Sequence, residues 1–307
     1  MRQEVPALYD NTLIYLFDPA DGYMFLRDVL ISHLHLSHSL LTKLKRQQKI
    51  RVNGQITKAN YPLQSGDLVT VDINLEETNH IEPQDIPLDI VYEDTDFLAV
   101  NKPSDMAIHP APHMPDGTLA NAVTYYWTQQ GKTILFRPIN RLDKDTSGLV
   151  LIGKSQWAHQ ALFQQQKQGL IHKRYQAIVE GNIEKDCGCI DLPIARIDQN
   201  RSPRTVDSAG KNAITHFTVL QRYEGFTLLS LTLETGRTHQ IRVHLSHLGN
   251  PICGDVLYGT PSPFINRQAL HAHELAFVHP RTGKTLQLIA PFPSDMITLI
   301  EKVSKQG

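Results

Sequence analysis

Only three of the 307 residues are cysteine: Cys187, Cys189 and Cys253. An odd, sparse count does not make a disulfide framework, so a reducing compartment is expected. Cys187 and Cys189 form a C-G-C without zinc-site spacing, and no second cysteine pair completes one, so no metal is expected there. Neither sign of charge is in excess. With 30 Lys and Arg against 31 Asp and Glu, the chain is no general basic coat for nucleic acid, although a local basic patch remains open. No apolar run approaches the roughly 18 residues needed to span a bilayer. The first stretch, MRQEVPALYDNTLIYLF, carries acids and lacks a continuous apolar signal core. A cytoplasmic protein with no membrane partner is therefore expected. The G-x-S-x-G elbow, the Walker phosphate loop and the dinucleotide glycine fingerprint are all missing, which sets aside the chemistries built on them.

The length suits about two domains of roughly 100–200 residues each. Charge is unevenly spread along the first hundred residues. Between Met24 and Ile56 stand Arg27, Lys43, Lys45, Arg46, Lys49 and Arg51 against the single acid Asp28. From Gly66 to Phe97 there are ten Asp and Glu and no Lys or Arg. Part of that acidic piece, EETNHIEPQDIP, is Pro-containing and poor in apolar residues, as a linker would be. Within the basic piece, Leu26, Leu30, Leu34 and then Leu40, Leu41, Leu44 recur at helical spacing, with Ser37 or Ser39 as a cap for the second helix. KIRVNGQ reads as a strand and an Asn53-Gly54 hairpin turn, and GDLVTVDI as a further strand. Lys and Arg on the second helix and its exit suit phosphate contacts, while a solvated helix face explains the same charges more plainly. His33, His35 and His38 scatter around their helix and read as surface or packing residues.

From about Pro87 onward strands dominate. LDIVYEDTDFLAVNKP reads as two strands, GTLANAVTYYWTQQG as a helix, GLVLIGK as a strand, and SQWAHQALFQQQKQG as a helix capped by Ser155. KRYQAIVEG is a strand, ITHFTVLQRYEGFTLLSLTLETG a hairpin, RTHQIRVHLSHLG a helix and GKTLQLIAP a late strand. Many strands follow one another without a helix between them, which favours a mixed or antiparallel sheet over a doubly wound one.

Chemistry concentrates in PINRLDKDTSGLVLIGKS, where Asp143 lies between Arg141 and Lys144. Neighbouring cations would keep such a carboxylate ionised and competent as a nucleophile or base. The alternative is a turn laced with surface ion pairs, each worth about 0–1 kcal/mol. Asp143 and Asp145 are too close in sequence to flank a sugar from both sides, which argues against a retaining glycosidase. A second cluster, LETGRTHQIRVHL, opens a helix after Gly236. Ile241, Leu245 and Leu248 fall on its apolar stripe, and His239, Arg242 and Ser246 on a polar side. Arg242 can thus point away from the core, toward a carboxylate or a phosphate. His239, His244 and His247 share no face and make a poor metal triad.

NRLDKDTSGLVLIGKS, HKRYQAIVEG and LETGRTHQIRVHLSHLGNPICGD together resemble, in order and spacing, the three signature blocks of the RluA/RluD-type pseudouridine synthases. The basic N-terminal piece, ending in VNGQ…LQSGDLVTVDI, resembles the small RNA-binding domain named after ribosomal protein S-four. The resemblance spans about Phe25 to Pro291. It implies that a uridine in RNA is detached at its glycosidic bond, rotated and rejoined through carbon 5, with no cofactor and no metal. It further implies that Asp143 is the essential Asp and that Arg141 helps fill the stack vacated by the target base. Tyr175 would stack on the uracil and help in the final proton removal, and Arg242 would pair with Asp143. Lys43, Lys45, Arg46 and Arg51 would bind RNA, and Gly148 would allow close backbone approach. Large-subunit ribosomal RNA is the expected substrate, with transfer RNA the alternative; a monomer with no obligate protein partner is expected. One departure stands out: the family usually has His before Arg-Leu-Asp, and here it is Asn140. Asn still hydrogen-bonds, so activity should survive. His109 and His113, in HPAPH, occupy a loop where relatives often carry a histidine near RNA, and no direct role is expected of them. The expected architecture is α+β: a small α/β RNA-binding domain (13–78), an acidic linker (79–87) and a mixed, mainly antiparallel sheet domain with a central cleft (88–303).

Overall fold

Alternating burial of Leu13 and Tyr15 makes Thr12–Leu16 a strand, β1, at the start of a four-stranded sheet. The computed structural model describes residues 11–75, 77–112, 114–198 and 203–305; His113 lies outside them. The sheet runs β1–β4–β2–β3, where β2 is Ile50–Val52, β3 is Gln55–Ile56 and β4 is Leu68–Asp72. Positive φ at Asn53 (52°) and Gly54 (80°) closes the β2–β3 hairpin, as a two-residue turn of this hand demands. Helix α1 (Leu26–Asp28) continues in π-helical geometry through Val29–His33. Helix α2 (His38–Arg46) begins where the Leu40 N–H donates to Ser37 Oγ at 3.2 Å. All six leucines of the expected periodicity are buried. His33 packs against Tyr15, ring centroids 4.2 Å apart, so it is a packing residue. Strand β1 was not anticipated, because its alternation is too short to stand out in sequence.

The remainder forms a nine-stranded sheet. Its strands are β5 (Ile90–Glu93), β6 (Phe97–Lys102), β7 (Ser147–Gly153), β8 (His172–Glu180) and β9 (Cys187–Asp191). A two-stranded ribbon follows, β10 (Ile194–Arg196) with β11 (Arg204–Val206). Then come β12 (Ile214–Tyr223), β13 (Phe226–Leu233), β14 (Leu270–Val278) and β15 (Thr285–Ile289). The large sheet runs β5–β6–β7–β14–β8–β13–β12–β9, with β15 on β14. Among the described residues only β7 and β14 pair in parallel. This is the mixed, mainly antiparallel α+β architecture expected. Among the described residues four helices accompany it: α3 (Leu119–Gln129), α4 (Gln156–Lys167), α5 (Gln240–His247) and α6 (Ser294–Ser304). Ser155 caps α4, accepting the Ala158 N–H at 3.0 Å.

The sheet has an apolar layer on each face. One cluster joins Tyr175 and Ile178 to Trp127 of α3, Leu245 of α5 and Met296 of α6. The other joins Phe97, Leu149, Leu151 and Phe277 to Trp157 of α4 and to Leu13, Leu30, Leu44 and Val71 of the N-terminal strands and helices. The N-terminal module is therefore packed on the large sheet. Trp157 Nε1 donates to the Leu34 carbonyl at 2.8 Å. Arg281 donates to the Thr12 carbonyl at 2.8 Å while its other nitrogens hold Asp96. The acidic segment between the sheets is irregular but tied down. Glu77 pairs with Arg137, Asn79 donates to Thr124 at 3.3 Å, and Asn121 donates to the Glu82 carbonyl at 2.8 Å. No helix among the described residues is long and apolar enough to cross a membrane.

Candidate active site

Three neighbouring strands fix the site. Tyr175 of β8 is registered with Ala272 of β14, and Ala272 with Gly148 of β7. Gly148 has φ of 113°, and a Cβ there would lie 2.3 Å from the Ala272 carbonyl oxygen. Only glycine admits this approach, which brings the end of the Asp143 loop against β14.

The loop is held at nearly every residue. Asn140, buried, donates to the Leu149 carbonyl and accepts the Leu151 N–H, both at 2.9 Å, stitching the loop's start to β7. Asn in place of His thus serves a structural contact, as its hydrogen-bonding capacity implied. Lys102, fully buried, donates to the carbonyls of Pro103 (2.7 Å), Met106 (2.9 Å) and Lys144 (2.9 Å). Burial lowers its pKa to about 7, with Asp145 and Asp143 opposing and Arg267 adding to the fall. Arg267 donates to the Asp145 carbonyl at 3.1 Å and grips Asp295 with two nitrogens. Ser147 Oγ pairs with His271 Nδ1 at 2.9 Å. Burial drops the His271 pKa to about 4, so its imidazole is neutral; Nε2–H donates to the Ala290 carbonyl at 3.2 Å, which leaves Nδ1 to accept from the serine.

Arg242 reaches this loop from α5. Its Nε and Nη2 each donate to Asp255 at 2.7 Å, and Nη1 donates to Asp143 Oδ2 at 3.1 Å. Asp255 is fully buried and also accepts the N–H groups of Leu257 and Tyr258. One edge of the guanidinium fork is therefore fixed and the remaining nitrogen is aimed at Asp143. Burial pulls the Arg242 pKa down, but Asp255 and then Asp143 outweigh it and the net shift is upward. The sequence places Arg242 on a polar side away from the core, and this is corrected: the residue is 7% exposed, while Leu248, expected in the apolar stripe, is 45% exposed. A buried carboxylate from the next loop accounts for the reversal.

His239 Nε2 lies 3.8 Å from Asp143 Oδ2, and its Nδ1 lies 2.8 Å from the Tyr258 hydroxyl. Burial lowers the His239 pKa, Asp143 and Asp255 resisting, Arg242 and Arg204 reinforcing. Tyr175 is 8% exposed; burial and the Asp143 charge push its pKa up to about 12. Its phenol is thus protonated at neutral pH. The structure brings Asp143, Arg242 and the Tyr175 phenol together. Arg141 is exposed in the same loop, and His109, near it, is exposed with its ring 5.0 Å from Phe136. Lys43, Lys45, Arg46 and Arg51 are exposed on the N-terminal module, away from this cluster in sequence and sheet. Lys43 Nζ donates to Gln156 of α4 at 2.9 Å, and Arg51 to the Gly54 carbonyl at 3.2 Å. No group of three or more metal-ligating side chains occurs among the described residues.

A carboxylate with one oxygen gripped by a guanidinium, an aromatic ring beside it and an exposed Arg at the rim can attack or deprotonate a polyanionic substrate. Residues 96–247 match the family model described as RNA pseudouridylate synthase. A Bacillus subtilis protein named as an uncharacterized RNA pseudouridine synthase, YlyB, is 46% identical over 84% of this chain and 87% of its own. The chain belongs to the RNA pseudouridine synthase family. The ribosomal large subunit pseudouridine synthase D of Escherichia coli is 39% identical over 86% of both chains. Among solved structures, the human RNA pseudouridylate synthase domain containing 1 superposes with a TM-score of 0.57 at 29% identity, covering 71% of this chain and 87% of that one. The protein is accordingly an enzyme that isomerises uridine in RNA to pseudouridine. Sequence reasoning missed Asp255, Tyr258, Lys102 and Arg267, which hold Arg242 and the Asp143 loop in this synthase. The G-D pair that ends the third signature block contained Asp255, but nothing in its spacing showed that it would meet Arg242.

Proposed function

We propose that Asp143 is the carboxylate that carries out the isomerisation, and that the substrate is a specific uridine in large-subunit ribosomal RNA. One observation carries the reading: Arg242 divides its three nitrogens between buried Asp255 and Asp143, so that a charged carboxylate is held in one orientation at a partly open surface. The glycosidic bond is sheltered inside a stacked helix, and extruding the nucleotide costs a few kcal/mol. Arg141, exposed two residues before Asp143, fills the vacated stack. Tyr175 offers its ring to the flipped uracil, and its phenol, close enough to Asp143 to feel its charge, takes part in the final proton removal. The N-terminal module (13–78) resembles the S-four type and acts as an RNA-binding domain through Lys43, Lys45, Arg46 and Arg51. Residues 79–87 connect it to the catalytic domain (88–303). The enzyme works as a monomer in the cytoplasm. The ribosomal target is favoured over transfer RNA by the name of the Escherichia coli relative. Mapping pseudouridines in ribosomal and transfer RNA from cells with and without the gene tests this reading. A large-subunit site lost with the gene supports it, whereas loss confined to transfer RNA rejects the ribosomal assignment.

A further inference from the structure

We infer that His239 is a positioning residue for the reaction: its neutral imidazole presents Nε2–H to Asp143 Oδ2 beside Arg242, making Oδ2 the anchored oxygen and Oδ1 the reacting one. The inference rests on the reading of Asp143 as the catalytic carboxylate.

Three independent features converge on it. The first is the hydrogen-bond order around Tyr258. The Arg204 backbone N–H donates to the Tyr258 hydroxyl at 2.8 Å, and among the described residues His239 Nδ1, also at 2.8 Å, is the one acceptor in reach of that hydroxyl's own proton. An imidazole that accepts at Nδ1 carries its proton on Nε2, and Nε2 is the nitrogen facing Asp143. Tyr258 is itself fixed, its N–H on Asp255 Oδ1 at 3.2 Å and its ring 5.1 Å from the Arg242 guanidinium. Buried Asp255 therefore orients both groups that approach Asp143.

The second feature is the asymmetry of the carboxylate. Arg242 Nη1 and His239 Nε2 both approach Oδ2, at 3.1 Å and 3.8 Å, and among the described residues no hydrogen bond reaches Oδ1. The longer distance is an electrostatic contact rather than a hydrogen bond. Catalytic hydrogen bonds are often long before substrate is bound and tighten in the complex.

The third feature is backbone conformation. His239 has φ of 59°, in the left-handed region that a residue with a Cβ seldom adopts. The His239 ring is 13% exposed, and the charged groups around it are Asp143, Arg242, Arg204 and Asp255. Strain of this kind persists where the surroundings impose it and clusters at functional positions. A neutral donor here steadies one oxygen without adding a second full cation, which would hold the carboxylate back from the substrate.

The test uses the purified full-length chain, single-turnover tritium release from RNA labelled at uracil carbon 5, and a separate RNA-binding titration. Wild type must release tritium and Asp143→Asn must not; failure of that pair overturns the underlying reading and not this inference alone. Given it, His239→Leu should slow release about 10- to 100-fold, the scale of a misplaced reacting group, with RNA affinity within about two-fold of wild type. His239→Gln, whose amide N–H lies near the position of Nε2–H, should recover most of that rate. Equal impairment of Leu and Gln, loss of affinity rather than rate, or an unchanged rate in His239→Leu would each overturn the proposal. Should both variants misfold, nitrogen NMR of histidine-labelled wild type decides: a proton on Nε2 that moves to Nδ1 in Tyr258→Phe supports it, and a proton on Nδ1 in wild type overturns it.

Discussion

Arg242 on α5 and the Lys45–Arg46 pair on α2 carry the same charge in opposite settings. Arg242 is buried and its three nitrogens are committed to two carboxylates at 2.7–3.1 Å. Lys45 and Arg46 are exposed at the end of an amphipathic helix whose leucines face the other way. A buried cation must be fully paired, so its partners fix its geometry and its loss is felt throughout the fold. An exposed cation is hydrated and screened, so it contributes affinity for a polyanion roughly one phosphate at a time. On the proposed reading, orientation of the chemistry belongs to the first setting, and capture of RNA to the second.

The largest effect should come from breaking the buried side. Arg242→Met leaves Asp255 charged and unpaired in the interior, and chemical denaturation should show a loss of about 3–5 kcal/mol together with lost tritium release. Gly148→Ala probes the same region through the backbone. A Cβ at positive φ costs about 1–3 kcal/mol. Here it also strikes the Ala272 carbonyl, so a clear fall in melting temperature is expected and activity should fall with it.

Lys102 sharpens the comparison through pH. Its pKa drops on burial to about 7 from 10.5. Between those values the unfolded chain binds the proton that the folded chain has given up, so stability rises with pH across the window. Denaturation midpoints measured through that range should rise less in Lys102→Met than in wild type. The smallest structural effect belongs to the exposed side. Changing Lys43, Lys45 and Arg46 together to Ala should leave stability within about 0.5 kcal/mol. The same change should weaken RNA binding and reduce its salt slope by about one unit for each phosphate no longer neutralised. An unchanged slope would remove α2 from the RNA interface.

The two settings also differ in how far the sequence revealed them. Surface charge and helix period are local, so the basic face of α2, its Ser37 cap and the Asn53-Gly54 turn could be read from neighbouring residues. Many strands and helices of the large domain, including the Ser155 cap, were legible for the same reason, but β9, β10, β11, β14 and α6 were not read from the sequence. The mixed sheet followed from strands succeeding one another without helices. The site was only half legible. Asp143, Tyr175 and Arg242 were reached through their signature blocks, but the blocks do not say what turns Arg242 inward. That depends on Asp255, 13 residues on, and on Lys102 and Arg267, which meet the Asp143 loop only after β6, β7 and β14 have assembled. Helical periodicity alone put Arg242 outside, because it registers polarity and not a buried partner. The short strand β1 and the packing of the N-terminal module on Trp157 and Arg281 are likewise long-range outcomes.

The most direct measurement compares wild type with Asp143→Asn in tritium release from carbon-5-labelled RNA, alongside binding of the same RNA. The substitution keeps the side chain's size and leaves the Arg242–Asp255 pair in place. Release should vanish in the variant while RNA binding persists. Release at the wild-type rate from Asp143→Asn would contradict the assignment of the chemistry to this carboxylate.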